Sequence, residues 1–401
     1  MNASPFQGSK RLTTLGTGSA VLGALTLAWG WAVSPRQAFF SYVAAFATVL
    51  SLALGMLVFL MIGHLMRAYW LIIVRRLAEA VVATLPLLAL LFIPILAGVQ
   101  MYPWAHGSIG PHETGVEHMA RVLSHKRPYL NIPFFAVRAL VYFAAWMVLA
   151  HFLRRWSLSQ DVRGDDAHVI DELKEKQFRL SAAGVPALAL TFTFAAFDWL
   201  MSLDPAWYSA VFGIYYFAGG FLGSVALLVI IAHLAGRSGA VSGVTPYHFH
   251  ALGRLLLAFV IFWAYIAFFQ AFLVQIANKP EEVTWYLART HGTWKGVGLA
   301  LIIGHFAIPF LILLSKGIKF RSGLLASVAC WLLVMHYVDL YWVVLPSLHV
   351  EGIRPHVLDL GALLLVGGSA LLVATWRQRG YPLVPTGDPA LAASLGYRSA
   401  L

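Results

Sequence analysis

The sequence predicts an all-α, polytopic membrane protein of ten transmembrane helices, and three observations predict it. Of the 401 residues 60% are hydrophobic and only 11% charged, against roughly 25% charged in ordinary globular chains. So few charges cannot cover a soluble surface. The apolar residues gather into runs of about 20, the length a membrane helix needs. Lys and Arg are distributed unevenly between those runs, as the positive-inside rule requires of a multi-pass protein. Alternating ten-residue strands, the signature of a membrane barrel, are not found.

The runs are 12–33, 38–63, 77–100, 132–153, 179–203, 207–235, 251–277, 293–315, 323–345 and 356–377. The first follows Lys10 and Arg11 as a signal peptide would, but its apolar core is long and no A-x-A cleavage site follows. A retained span is expected. The N-terminus, the loops after the second, fourth, sixth and eighth spans, and the tail carry 19 of the 28 Lys and Arg; the opposite loops carry 8. Both termini are therefore expected in the cytoplasm. The net charge of +11 reads as this topology signal, with no nucleic-acid partner implied. A loop over 101–131 with four histidines is expected outside, and a charged loop over 154–178 inside. The chain reads as one membrane domain, 1–401, ending in a tail, 378–401, that lacks the periodicity of a free helix and is expected to lie against the body or a partner.

Cys330 is the only cysteine, so disulfides within the chain, Cys-ligated iron–sulfur clusters, Cys-based zinc sites and c-haem attachment are excluded. No metal-ligand set, P-loop, GxSxG, HExxH or Rossmann fingerprint occurs in a usable context. His291 with His305, and His336 with His349, have the spacing of paired haem ligands. However, His349 follows Pro346 and should lie beyond its helix, and His291 sits in a polar mouth. Glycines at 219, 220 and 223, at 296 and 298, and at 367 and 368 suit close helix packing.

Ionisable groups inside spans are expensive and are functional candidates by default. With the expected orientation, Arg138, Asp198, His336 and Asp339 form an outer cluster, with His305 near mid-membrane. His336 and Asp339, three residues apart, share a helix face. His64, Glu79 and His151, with His233, form an inner ring. Such a distribution suits two proton half-channels. The bland alternatives are headgroup contacts for the inner ring and, for the outer cluster, a buried pair of Arg138 with an aspartate that locks helices together.

Several long stretches carry a resemblance. FDWLMSLDPAWYSAVFGIYYFAGG (197–220), HKRPYLNIPFFAVR (125–138), FWAYIAFFQAFLVQIANKPEEVTWY (262–286), VDLYWVVLP (338–346) and GDPALAASL (387–395) are similar to the membrane subunits of bacterial alternative complex III, in the NrfD-like, polysulphide-reductase-type superfamily. The similarity covers nearly the whole chain. In length and tail it resembles the shorter of the two sister subunits, the F-type. The resemblance implies two four-helix bundles, 38–203 and 207–345, flanked by the first and last helices. It implies a respiratory quinol:cytochrome c oxidoreductase in the bacterial inner membrane, and, as partners, the NrfD-like quinol-binding subunit, an iron–sulfur subunit, c-type cytochrome subunits and lipids. Haems and iron–sulfur clusters are expected in those partners and no cofactor of its own on this chain. A bound quinone or quinol, and an associated terminal oxidase, are left open.

On this reading the chain does no covalent chemistry alone; it scaffolds the complex and conducts protons coupled to quinol oxidation. Asp198, Asp339 and His336 are expected in the outer relay with Arg138 beside them, His305 is the mid-membrane station, and His64, Glu79 and His151 are the inner intake. The alternative is that the chain binds quinol directly, with His336, Asp339 and Asp198 around the headgroup and one of them as proton acceptor. A secondary transporter would need broken helices in matched positions of the two halves. A purely structural anchor would need every buried charge paired.

Overall fold

The computed structural model describes residues 5–106, 116–162 and 166–398. Residues 107–115 of the histidine-bearing loop, and Arg163 and Asp165 of the charged one, lie outside the described residues. Among the described residues, ten helices are long and apolar enough to cross a membrane: α1 (Lys10–Val33), α2 (Pro35–Leu65), α3 (Tyr69–Ala97), α4 (Ile132–Val162), α5 (Ala167–Leu203), α6 (Phe212–Arg237), α7 (Pro246–Ala277), α8 (Trp294–Leu314), α9 (Ser322–Ser347) and α10 (Val357–Arg377). No strand occurs among the described residues. The all-α polytopic class expected from composition is the class observed.

Each apolar run has its helix, and the three bounds that shift most do so for local reasons. The stretch 154–178, read as a loop, is mostly helical, because α4 and α5 continue past their apolar parts. Asp166 caps the start of α5, accepting from His168 N at 3.1 Å and Val169 N at 3.2 Å, and satisfies donors the helix cannot. Glu172–Lys176 at 2.6 Å and Glu175–Arg179 at 2.7 Å are i,i+4 pairs that favour helix where apolar burial does not. The third span begins at Tyr69 instead of 77. It is broken into the pieces Ile72–Val82, Leu85–Leu91 and Ile93–Ala97. Pro86 and Pro94 fall in the first turns of the last two pieces, where a missing N–H is tolerated.

The helix α2 is the axis of the molecule: 83% of its most apolar window is buried, against 17% in the peripheral α1. It packs on α3 and α5 on one side and on α6 and α9 on the other, and α10 lies along it. We call α2–α5 the first bundle and α6–α9 the second: α4 packs against α5 and α3, α7 against α6 and α9, and α8 against α7 and α9. The flanking helices α1 and α10 pair with each other through small residues. A Cβ on Gly23 would lie 2.3 Å from Leu365 N, and one on Gly368 would lie 2.7 Å from Ser19 Cβ. Glycine alone permits that approach of backbones.

The two chain ends meet on one face. Phe6 N donates to Tyr381 O and Gly380 N to Phe6 O, both at 3.0 Å. We call this the termini face and the opposite one the distal face. The tail lies against the body. Asp388 meets Arg75 at 2.6 Å, Gly387 N donates to Asp161 at 3.0 Å, and Ser394 O lies 3.0 Å from His248 Nε2 of α7. The tail thus straps the first bundle to the second.

Candidate functional site

The ionisable groups expected in one outer cluster divide between the bundles. In the first bundle Arg138 of α4 and Asp198 of α5 form a bidentate pair, Nε to Oδ2 at 2.8 Å and Nη2 to Oδ1 at 2.9 Å. Tyr142 Oη donates to Oδ2 at 2.8 Å. The guanidinium also donates to Tyr129 O at 2.8 Å and lies over the Tyr129 and Phe134 rings at 3.8 and 4.3 Å. Charge and hydrogen-bonding capacity are well matched, and the planar fork fixes α4 against α5. The helix-locking alternative weighed for Arg138 is the arrangement present.

In the second bundle Asp339 of α9 is 1% exposed and has uncharged partners. It accepts from Tyr215 Oη of α6 and from Trp263 Nε1 of α7 at 3.0 Å. One helical turn away, His336 is fully buried, with Nε2 2.8 Å from Ser51 Oγ of α2. Ser51 Oγ donates its proton to Thr48 O at 2.7 Å, so it receives from His336. The neutral ring then carries its hydrogen on Nε2 and a bare lone pair on Nδ1, a tautomer assigned from this network. His336 Nδ1 has no hydrogen-bond partner among the described residues.

That lone pair and the Asp339 carboxylate border one point. A Cβ on Gly219 would lie 3.1 Å from His336 Nδ1 and 3.4 Å from Asp339 Oδ2, and one on Gly223 would lie 3.1 Å from His336 Cδ2. These two glycines of α6, one turn apart, therefore pack against the site itself. Gly220 packs against Ser51, as the packing reading expects. Around Gly296 and Gly367 a Cβ would meet nothing within 4 Å, so close approach does not explain those two.

His305 of α8 completes the group. It is fully buried, neither ring nitrogen has a hydrogen-bond partner among the described residues, and its ring lies 4.1 Å from that of Trp263. It sits in a π-helical stretch, Leu301–Ala307, a deviation frequent at functional sites, just ahead of Pro309, whose missing N–H leaves the His305 carbonyl without its helical donor. Trp263 touches His305 with its ring and Asp339 with its N–H. Asp339, His336 and His305 are thus brought into one constellation, and Asp198 with Arg138 into another.

The expected inner intake is not one site. Glu79 is locked between Arg76 at 2.7 Å and Arg75 at 3.6 Å and accepts from Ser157 Oγ at 2.5 Å. Arg76 also binds Asp161, and Arg75 binds Gln160 at 3.1 Å and the tail's Asp388. His64 lines a cavity of about 590 Å³ shared with Arg67, Lys174 and Asp388, whereas His151 is exposed on a separate groove. His233 Nδ1 lies 3.1 Å from Ser322 Oγ. Burial alone would raise the Asp388 carboxyl, but the Arg75 guanidinium outweighs it and holds the group below its usual 3.8.

Sequence reasoning missed Tyr215, Trp263 and Ser51, which are uncharged and lie in apolar runs. The available signal was Tyr215, Gly219 and Gly223 at i, i+4 and i+8, which share a helix face. It also missed Asp359, which accepts from Gln37 at 3.1 Å, Ser41 at 2.5 Å and His356 N at 2.8 Å. His349 lies past α9 and meets Gln37 Oε1 at 2.5 Å; its partner is a side chain of α2. Among the described residues, no group of three or more His, Cys, Asp or Glu could hold a metal ion. No protein-family model matches the sequence, and a search of curated proteins finds no match either.

Proposed function

We propose that this chain is an integral membrane subunit of a quinol:cytochrome c oxidoreductase of the alternative complex III kind, where it scaffolds the assembly and passes protons coupled to quinol oxidation. The observation that carries the reading is the Asp339–His336–His305 constellation. All three side chains are buried, and the carboxylate and His336 hydrogen-bond to hydroxyls and an indole. Such groups gain and lose a proton without stranding a countercharge. Asp198 lacks that freedom, since its protonation would leave the Arg138 charge buried and unpaired, a costly state. The relay is therefore drawn through Asp339, His336 and His305, with Asp198 and Arg138 reassigned to holding α4 and α5 together.

Oxidising a quinol removes two electrons and two protons. The electrons go to the iron–sulfur and haem partners, and the protons need titratable acceptors. A direct quinol site on this chain is the weaker reading, because a headgroup needs an opening and His336 and Asp339 are 0% and 1% exposed. The test is purification of the tagged chain from its own membrane. Co-purifying c-type haem and quinol-dependent cytochrome c reduction are expected. A preparation with neither would overturn the assignment.

A further inference from the structure

A groove of about 1190 Å³ opens on the outer side of the first bundle, between α3, α4, the end of α10 and the start of the tail. Its walls change character along its length. Pro86, Ala144, Val148 and Phe152 line one part, and Arg154, Arg155 and Arg377 gather at the other. Along α4, Ala144 and Arg155 are eleven residues apart, about 16 Å of helix at 1.5 Å per residue. That matches the depth of one leaflet's hydrocarbon, about half of a roughly 30 Å core.

The basic end has charge to spare. Arg154 donates to Arg377 O at 2.7 Å and lies 5.6 Å from the Tyr381 ring centre, contacts that hold the guanidinium without neutralising it. Among the described residues, no carboxylate forms an ion pair with Arg154, Arg155 or Arg377. Asp161, at the same end, is taken by Arg76 and Gly387 N. Arg155 and Arg377 are exposed. We propose that this groove is a binding site for an anionic phospholipid of the termini-side leaflet, its acyl chain along Ala144–Phe152 and its phosphate among the three arginines. Basic pockets between helices at a membrane face bind anionic headgroups by this charge match, and the bidentate fork of Arg suits a phosphate. The site is independent of whether the chain belongs to an oxidoreductase.

The test titrates delipidated, full-length protein with phosphatidylglycerol or phosphatidylcholine and counts bound lipid by native mass spectrometry. The wild type should prefer phosphatidylglycerol. The double variant Arg155→Gln/Arg377→Gln should bind it roughly 30-fold more weakly, at about fivefold per basic residue near a membrane surface. Arg237→Gln/Lys316→Gln, the same charge change on the second bundle, should bind as the wild type does. Ala144→Phe, which fills the apolar part and leaves every charge, should weaken binding as well, so the site remains testable if the double variant folds poorly. Equal affinity for the two lipids would overturn the proposal. So would unchanged phosphatidylglycerol binding in both groove variants, or a neutral isoprenoid retained in the groove in place of phospholipid.

Discussion

Asp198 and Asp339 look alike in the sequence, each a carboxylate near the end of an apolar run, and their partners make them opposites. Asp198 faces a guanidinium and Asp339 a phenol and an indole. Asp198→Asn should therefore cost stability, about 3–5 kcal/mol for leaving a buried charge unpaired, read as an earlier thermal or denaturant transition of the purified protein. Asp339→Asn keeps one oxygen acceptor but turns an N–H toward the second donor, Trp263 or Tyr215, so it should cost about 1–3 kcal/mol for an unsatisfied buried group, less than Asp198→Asn because no charge is stranded. It should also lower proton-coupled turnover, by roughly tenfold or more on the scale of a lost acid–base group. If the two variants exchanged these phenotypes, the division between lock and relay would be wrong. Gly219→Ala tests the same point by shape. Its methyl would crowd His336 Nδ1 at 3.1 Å, and turnover should fall while overpacking costs about 1–3 kcal/mol at most.

Among the elements, the number and order of spans were legible because burial in lipid leaves a run of about 20 apolar residues that no soluble helix requires. What escaped the sequence lies where other forces act. The charged extension of α5 is held by a cap and by i,i+4 pairs, and that of α4 by Gln160 and Asp161 against Arg75 and Arg76, which a hydropathy reading ignores. The π-stretch around His305 is followed by Pro309, which cannot donate to the His305 carbonyl, and a reading of hydropathy passes over it. The tail was expected to lie against the body or a partner, yet its anchor could not be read, because Asp388 sits 313 positions from Arg75. That anchor makes a prediction with a definite sign. The folded-state value of Asp388 is depressed below 3.8, so its contribution is complete above that pH and is lost only as pH falls through the lower folded value. At neutral pH the wild-type tail should resist protease. Asp388→Asn should be clipped there roughly tenfold faster, equivalent to about 1.4 kcal/mol of lost anchoring. Equal rates at pH 7 would show that the strap is held elsewhere.

At the scale of the whole molecule the two bundles are joined through α2, and the relay candidates sit on the second bundle's side of that seam, with His336 reaching across to Ser51. Which face of the membrane the constellation serves depends on orientation, and the charge count sets it. The termini face carries 19 of the 28 Lys and Arg, so it should face the cytoplasm. Asp339 lies in the distal third of α9, a helix ending at Ser347, and would then be the group nearest the outside, suited to releasing protons there. Single cysteines test this in a Cys330→Ser background, since Cys330 is the only native cysteine. Glu351→Cys, on the exposed distal loop, should react with a membrane-impermeant maleimide in intact cells. Lys174→Cys, on the termini face beside Asp388, should react only after permeabilisation. The reverse pattern would turn the constellation toward the cytoplasm, and Asp339 would then have to act in proton uptake.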